Sequence, residues 1–235
     1  TKNHAGEDKK LSFKIENVSK FRDKIRYIVV DDLPVNVKPP KKGWHENHAR
    51  DQFQRNAIER GYKDFDDEDL IMISDIDEIP DPKKINEFNI KNKFACFLQK
   101  NYQSKINLLN ITNKNWPGTK ICQKKNLKTP QWLRNLKTKK KPFWKIFKKN
   151  IQLINNGGWH FSFLKDPDSI RKKIISYSHQ EFNKEEFTNI DLIKKKISSG
   201  EDLFQRNISY KKVNLDETFP EYIINNKKLF KDWIL

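Results

Sequence analysis

The residues with the most chemical promise lie in Leu70-Ile71-Met72-Ile73-Ser74-Asp75-Ile76-Asp77-Glu78-Ile79-Pro80, where an apolar run leads straight into three carboxylates and a proline. Burying such carboxylates unpaired would be costly, so they belong at the end of a strand, facing water or a cation. Residues two apart in an extended chain share a face and lie about 7 Å apart. Asp75 and Asp77 are therefore expected to reach one hard cation, directly or through water. Oxygen ligands in this pattern suit Mg²⁺ or Mn²⁺, which keep positions open for phosphate oxygens. A solvated acidic turn capping a strand is the plainer account of the same residues.

The surrounding pattern supplies elements to position them. Lys10 to Ile15 reads as a short strand, and Lys24 to Asp31 as a clearer one, rich in β-branched residues. Pro34, Pro39 and Pro40 mark a loop into a helix over His45–Gly61, with Ala49, Phe53, Ala57 and Ile58 near helical spacing and Gly61 as its stop. The run Leu70–Ser74 then reads as a buried strand. Strand, helix, strand in this order predicts an α/β layer with a parallel sheet. In that sheet Leu70–Ser74 lies centrally, and its carboxyl end opens on the edge where ligands bind.

Beyond it, Phe94–Leu98, Tyr102–Ile111 and Gly118–Ile121 read as strands. Asn155-Asn156-Gly157-Gly158 signals a turn ahead of a strand over Trp159–Leu164. From Asp168 the apolar spacing turns helical, at Ile170, Ile174 and Ile175 and again at Ile190, Ile193 and Ile197, with Gly200 as the stop. No fixed-period repeat and no linker divides the chain, so residues 1–235 read as one domain.

At 235 residues the chain can bury a sizeable core, and its aromatic content excludes wholesale disorder. The formal charge is +17, and between Glu87 and Asp166 there are 18 Lys or Arg and no acidic residue. Such a face suits nucleic acid, anionic lipid or a donor diphosphate. A solvated surface in a chain rich in Lys, Asn and Ile accounts for it equally well. Cys96 and Cys122 have no partner at metal spacing, which argues against a disulfide framework and makes a reducing compartment the default. No run of about 18 apolar residues is present to span a membrane, and no signal peptide is visible, although the chain opens at Thr1 rather than Met. A cytoplasmic location, peripheral at an anionic membrane surface, is the expectation.

Ser74-Asp75-Ile76-Asp77-Glu78-Ile79-Pro80 resembles the Asp-x-Asp-Glu-Ile-Pro signature of glycosyltransferase family 17. This is the family of the β-1,4-mannosyl-glycoprotein β-1,4-N-acetylglucosaminyltransferases. Other pieces resemble it in the same order. Asn3-His4-Ala5-Gly6 with Lys9 and Lys10 is similar to its Thr-His-x-Gly element, with Asn3 standing where Thr is usual. Glu46 through Arg50, Arg55-Asn56 and Gly61 are similar to its arginine-bearing helix. Gly158-Trp159-His160-Phe161-Ser162, Ser178-His179-Gln180-Glu181, and Gly200-Glu201-Asp202-Leu203-Phe204 with Arg206 complete the set. The family's opening strand would lie ahead of residue 1.

The resemblance implies a GT-A-type fold, a Rossmann-like mixed α/β sheet flanked by helices. It also implies a single displacement that inverts the anomeric centre. Mn²⁺ or Mg²⁺ would sit at Asp77 first and Asp75 second, with a nucleotide sugar, UDP-GlcNAc above all, as donor and a glycan or polysaccharide as acceptor. Asp75, together with Arg50 or Arg55 as a guanidinium fork, would meet the donor diphosphate, and Glu78 would either join the metal site or, in the plainer reading, pair with a nearby arginine. His160 takes a catalytic place or fills the core, and Trp159 beside it would stack on a sugar ring. Glu181 is the candidate base for the acceptor hydroxyl, with Glu201 and Asp202 as the second choice. The Golgi lumen is the family's setting for a eukaryotic chain with a membrane anchor.

Two other readings compete. A nucleic-acid-binding protein would use Trp132, Phe143, Trp144 and Phe147 interleaved with lysines, but it leaves the acidic signature unexplained. A metal-dependent phosphohydrolase would use Asp75 as nucleophile, yet Glu78-Ile79-Pro80 stands where a phosphatase carries Thr or Val. The basic stretch Lys120–Lys149 is expected outside the donor pocket, as an acceptor-side or membrane-facing surface.

Overall fold

The computed structural model describes residues 8, 10–34, 46–138, 151–176 and 180–235. In chain order the elements are helix α1 (Glu46–Asn56), strands β1 (Leu70–Ile73), β2 (Glu78–Pro80), β3 (Phe94–Gln103), β4 (Leu108–Asn110) and β5 (Asn115–Gln123), then helix α2 (Pro130–Arg134) and strands β6 (Gln152–Ile154) and β7 (Gly158–Ser162). Helices α3 (Pro167–Ser176), α4 (Glu185–Thr188) and α5 (Ile190–Ser199), strand β8 (Tyr210–Lys212) and helix α6 (Glu221–Asn225) follow.

Local chemistry explains several boundaries. Thr129 accepts from Trp132 N to cap α2, whose first residue is Pro130. Asn189 caps α5 by accepting from Asp191 N and Leu192 N, and Gly200 ends the same helix in the left-handed conformation. The expected helix over His45–Gly61 is present as α1 continued by a 3-10 segment, Ala57–Gly61; His45 itself lies outside the described residues.

The strands form one mixed sheet that runs β1-β5-β3-β4-β8, with β6 and β7 both parallel to β3 and β2 antiparallel to β7. The other pairings are antiparallel, so the expected parallel α/β layer is corrected to a largely antiparallel sheet flanked by helices. Leu70–Ile73 is a strand, but it ends the sheet order and pairs only with β5 among the described residues. The strand predicted over residues 24–31 is absent. Arg26 there donates to the Gly61 carbonyl and to Asp64, and no strand pairing joins the segment to β1 among the described residues. Residues 10–14 are likewise not a strand. Phe94–Leu98 and the start of Tyr102–Ile111 merge into the single long strand β3.

Side-chain alternation gives β3 and β7 two unlike faces. One face packs Tyr102, Trp159 and Phe161 with Ile106, Phe219 and Ile223. The other carries Gln99, Asn101 and Gln103 from β3 and His160 from β7. Helices α3 and α5 pack through Ile170, Ile174, Ile193 and Ile197, with Phe163, Leu203 and Phe204. Tyr62, Ile71, Ile73, Cys122 and Leu133 join β1 and β5 to α2.

The Asn155–Gly158 turn sets β7 against two neighbours. Gly158 has φ +132°, and a Cβ there would lie 2.1 Å from the Ile79 carbonyl oxygen. Glycine thus lets β7 close on β2, which places Glu78 opposite His160. Gly158→Ala is expected to lower stability by at least about 2 kcal/mol, read as a lowered urea midpoint. A loss under about 0.5 kcal/mol would show that this contact does not set the approach of β7 to β2.

Candidate active site

The chain leaves β1 at Ile73 and turns sharply through residues 74–77. Glu78 N donates to the Asp75 carbonyl at 2.9 Å, and Asp75 N donates back to Glu78 Oε2 at 3.2 Å. Phe161 N donates to the Asp77 carbonyl at 2.9 Å, which anchors the far side of the turn to β7. The extended spacing expected of Asp75 and Asp77 is therefore replaced by a turn, and the two carboxylates have different partners.

Asp75 is held by cations. Its Oδ1 accepts from Arg55 Nη2 at 3.1 Å and its Oδ2 from Arg134 Nη2 at 2.9 Å. Burial alone would raise its carboxyl, but Arg134 and Arg55 together hold it below the ordinary value. Arg55 is itself tied to Asp51 at 3.0 Å and to Gln131, so α1 and α2 meet at this carboxylate. Glu78 is fully buried at the side chain and accepts from Arg134 Nη2 at 2.5 Å and from Trp116 Nε1 at 2.7 Å. Burial raises its carboxyl in spite of those donors. The expectation that Glu78 pairs with an arginine holds, and the arginine is Arg134.

Asp77 is placed differently. Among the described residues its nearest charged or titratable neighbours are His160 Nε2, 3.7 Å from Oδ1, and Lys173 Nζ, 3.8 Å from Oδ2, both beyond hydrogen-bond distance. His160 Nδ1 lies 3.0 Å from Asn101 Oδ1, while Asn101 Nδ2 donates to the Asn113 carbonyl. That orientation of the amide makes Nδ1 the protonated ring nitrogen and leaves the Nε2 lone pair facing Asp77. Burial holds His160 below its ordinary value despite Asp77, and Arg134 and Lys173 add to the effect, so the ring is neutral at pH 7. Trp116 stacks on the ring, with centroids 4.3 Å apart and planes 9° apart.

Asp75 and Asp77 line a cleft of about 1040 Å³ that runs along β1. Its walls include Ile28, Val30, Ala57, Ile58 and Tyr62 at the apolar end and Arg55 and Lys173 at the acidic end. Of the cofactor-binding candidates, Arg55 and Asp75 line this cleft, whereas Arg50 on α1 does not. Trp159 points to the opposite face of β7, into the apolar cluster, and its indole N–H donates to the Thr218 carbonyl. The aromatic face beside His160 is thus that of Trp116.

None of the base candidates lines the cleft. Glu181 is exposed on the short turn Gln180–Phe182. Asp202 is buried, which raises its carboxyl, but Arg206 binds it through Nε, Nη2 and its backbone N–H and holds it below the ordinary value; Glu201 next to it is exposed. His179 and Lys139 to Lys149 lie outside the described residues. Lys120, at the start of the basic stretch, is not a surface residue. It is buried, donates to the carbonyls of Arg134 and Leu136, and is pushed down to about 8 by burial.

The donor set fits a divalent cation at Asp77 and not at Asp75. Both Asp75 oxygens already accept guanidinium hydrogen bonds, whereas Asp77 and His160 present unshared electron pairs to each other. Among the described residues no group of three or more His, Cys, Asp or Glu could hold a metal by itself. A cation at Asp77 would complete its shell with water and substrate oxygens. The guanidinium clamp also leaves Asp75 unsuited to act as a phosphatase nucleophile.

Sequence reading missed Arg134, Trp116, Asn101 and Lys173. Arg134 was the most legible of these, since Thr129-Pro130 marks a helix start four residues before it. A family model described as glycosyltransferase family 17 matches residues 1–231. The chain belongs to that family and is a glycosyltransferase. Comparison with curated proteins and with solved structures gave no match. No helix among the described residues is long and apolar enough to cross a membrane.

Arg134→Met would strand the buried Glu78 without its cation. The expected loss is about 3 kcal/mol at pH 7. Without Arg134 the folded-state value for Glu78 rises further above its unfolded value. Stability is then present at low pH and lost as pH rises through the folded value, so the deficit should shrink towards pH 5. Adding Glu78→Gln should recover part of it. Melting curves at pH 5 and 7 test this, and a deficit independent of pH would remove Glu78 as its source.

Proposed function

We propose that this glycosyltransferase moves a sugar, N-acetylglucosamine from UDP-GlcNAc above all, to a glycan or polysaccharide acceptor with inversion at the anomeric carbon. The observation that carries the reading is Asp77, a half-buried carboxylate with no hydrogen-bonded cation among the described residues, facing the neutral Nε2 of His160 at the acidic end of the cleft. Family membership supports a nucleotide-sugar donor and a glycan acceptor.

In this reading Asp77 and His160 Nε2 hold Mn²⁺ or Mg²⁺. The ion, when bound, supplies a Lewis acid for the charge that develops on the departing diphosphate. Asn101 fixes the His160 tautomer, and Trp116 fixes the plane of the ring. Asp75 does not ligate; with Arg55 and Arg134 it sets the turn that aims Asp77. The apolar end of the cleft, with Tyr62 and Ile28, takes the donor base.

The acceptor hydroxyl must lose a proton to a base. In this reading the base is Glu181, exposed on the turn that packs against α3. Glu181→Gln should lower kcat by roughly a hundredfold while donor affinity stays unchanged. A normal kcat would transfer the role to another group.

Asp77→Asn removes the charge that offsets the metal's and keeps side-chain size. Since about 1.4 kcal/mol is tenfold in rate, transfer should fall by roughly a hundredfold or more, with the melting temperature almost unchanged. The measurement is Mn²⁺-dependent turnover across UDP-, GDP- and CMP-sugars. Near-normal turnover by well-folded Asp77→Asn protein removes Asp77 as the metal site.

A further inference from the structure

Lys173 lines the cleft and faces the acidic turn. It stands on α3, whose Ile170 and Ile174 are buried in the core, so the backbone beneath it is fixed. Its ammonium lies 4.5 Å over the Phe163 ring and 3.8 Å from Asp77 Oδ2, at the cleft wall. The other cations here are committed. Arg55 binds Asp51, Gln131 and Asp75, and Arg134 binds Asp75 and Glu78. Asp75 accepts from two guanidinium groups, whereas Asp77 accepts from neither, and among the described residues Lys173 Nζ is the ammonium that faces it.

We propose that Lys173 is a charge placeholder and diphosphate ligand: it offsets Asp77 while the cleft is empty and turns to the donor's phosphate oxygens when metal and donor enter. The inference rests on the reading of Asp77 as the metal-holding corner. A divalent cation at Asp77 would come within a few ångströms of Nζ and repel it. The ammonium has hydrogen-bond donors not engaged at Asp77, and its stem is long enough to swing away from Asp77. Metal and lysine therefore compete for Asp77 in the empty protein but act together on a bound diphosphate.

This competition fixes opposite signs for two affinities. Lys173→Met keeps the apolar stem against Phe163 and removes the charge; Lys173→Arg keeps the charge. Mn²⁺ is titrated without nucleotide, and the tightest binder among UDP, GDP and ADP is titrated without metal. Lys173→Met should bind Mn²⁺ roughly threefold more tightly and the nucleoside diphosphate about tenfold more weakly. Lys173→Arg should stay near the wild type in both. If the wild type binds both probes and Lys173→Met shifts neither, or shifts both the same way, the placeholder role is overturned alone. If the wild type binds neither, the donor-site reading falls with it.

Discussion

The guanidinium of Arg134 bridges Asp75 and Glu78 through one nitrogen, and the shape of the acidic turn depends on that bridge. Its other nitrogen reaches the carbonyls of Pro117 and Gly118, and its own carbonyl accepts from the buried Lys120. Helix α2 is seated in turn by Asn56, whose side chain accepts from Gln131 N, and by Leu133 in the core. Helix α1, helix α2, β5 and the turn are thus joined through a partly buried ionic network. A network of this kind contributes little net stability over an apolar substitute, because desolvation offsets most of the attraction. What it provides is direction: with Asp75 and Glu78 immobilised on either side, Asp77 has little choice of where to point.

The second constraint is the alternation of β3. Its polar residues share one face, where Gln99 donates to Thr119, Asn101 meets His160, and Gln103 accepts from Tyr210. Its Tyr102 stacks on Phe161 on the other face, in the apolar cluster. Carboxamides do not titrate, so the platform under His160 keeps its charge and hydrogen bonding across ordinary pH. The buried Gln99 Oε1 has no hydrogen-bond partner among the described residues.

Much of this was legible in the sequence. Apolar periodicity located β1, α1, β7, α3 and α5, and Gly200 located the end of α5. The pairing of the strands was not legible. A strand–helix–strand order suggested a parallel layer, but whether residues 24–31 join β1 depends on side chains such as Arg26, which found Asp64 instead. Within the site, adjacency in sequence exposed Asp75, Asp77 and Glu78 together, since a strand that ends in three acids needs an explanation. Their partners come from elsewhere in the chain and stand among many other cations, so composition hid Arg134 and Lys173. Trp159 misled because neighbours on a strand face opposite ways, and the ring beside His160 belongs to β5.

The clamp has a consequence for how the chain acquires its shape. Asp75 and Arg134 are 59 positions apart, and Glu78 and Arg134 are 56. During synthesis both carboxylates emerge well before Arg134, and until then Glu78 is without its cation while Asp75 has only Arg55. Closing a loop of that length has an entropic cost that local contacts cannot defray early. The acidic turn is thus a late-forming feature that waits on β5 and α2. A chain stalled before residue 134 carries the acidic signature without the means to hold its geometry.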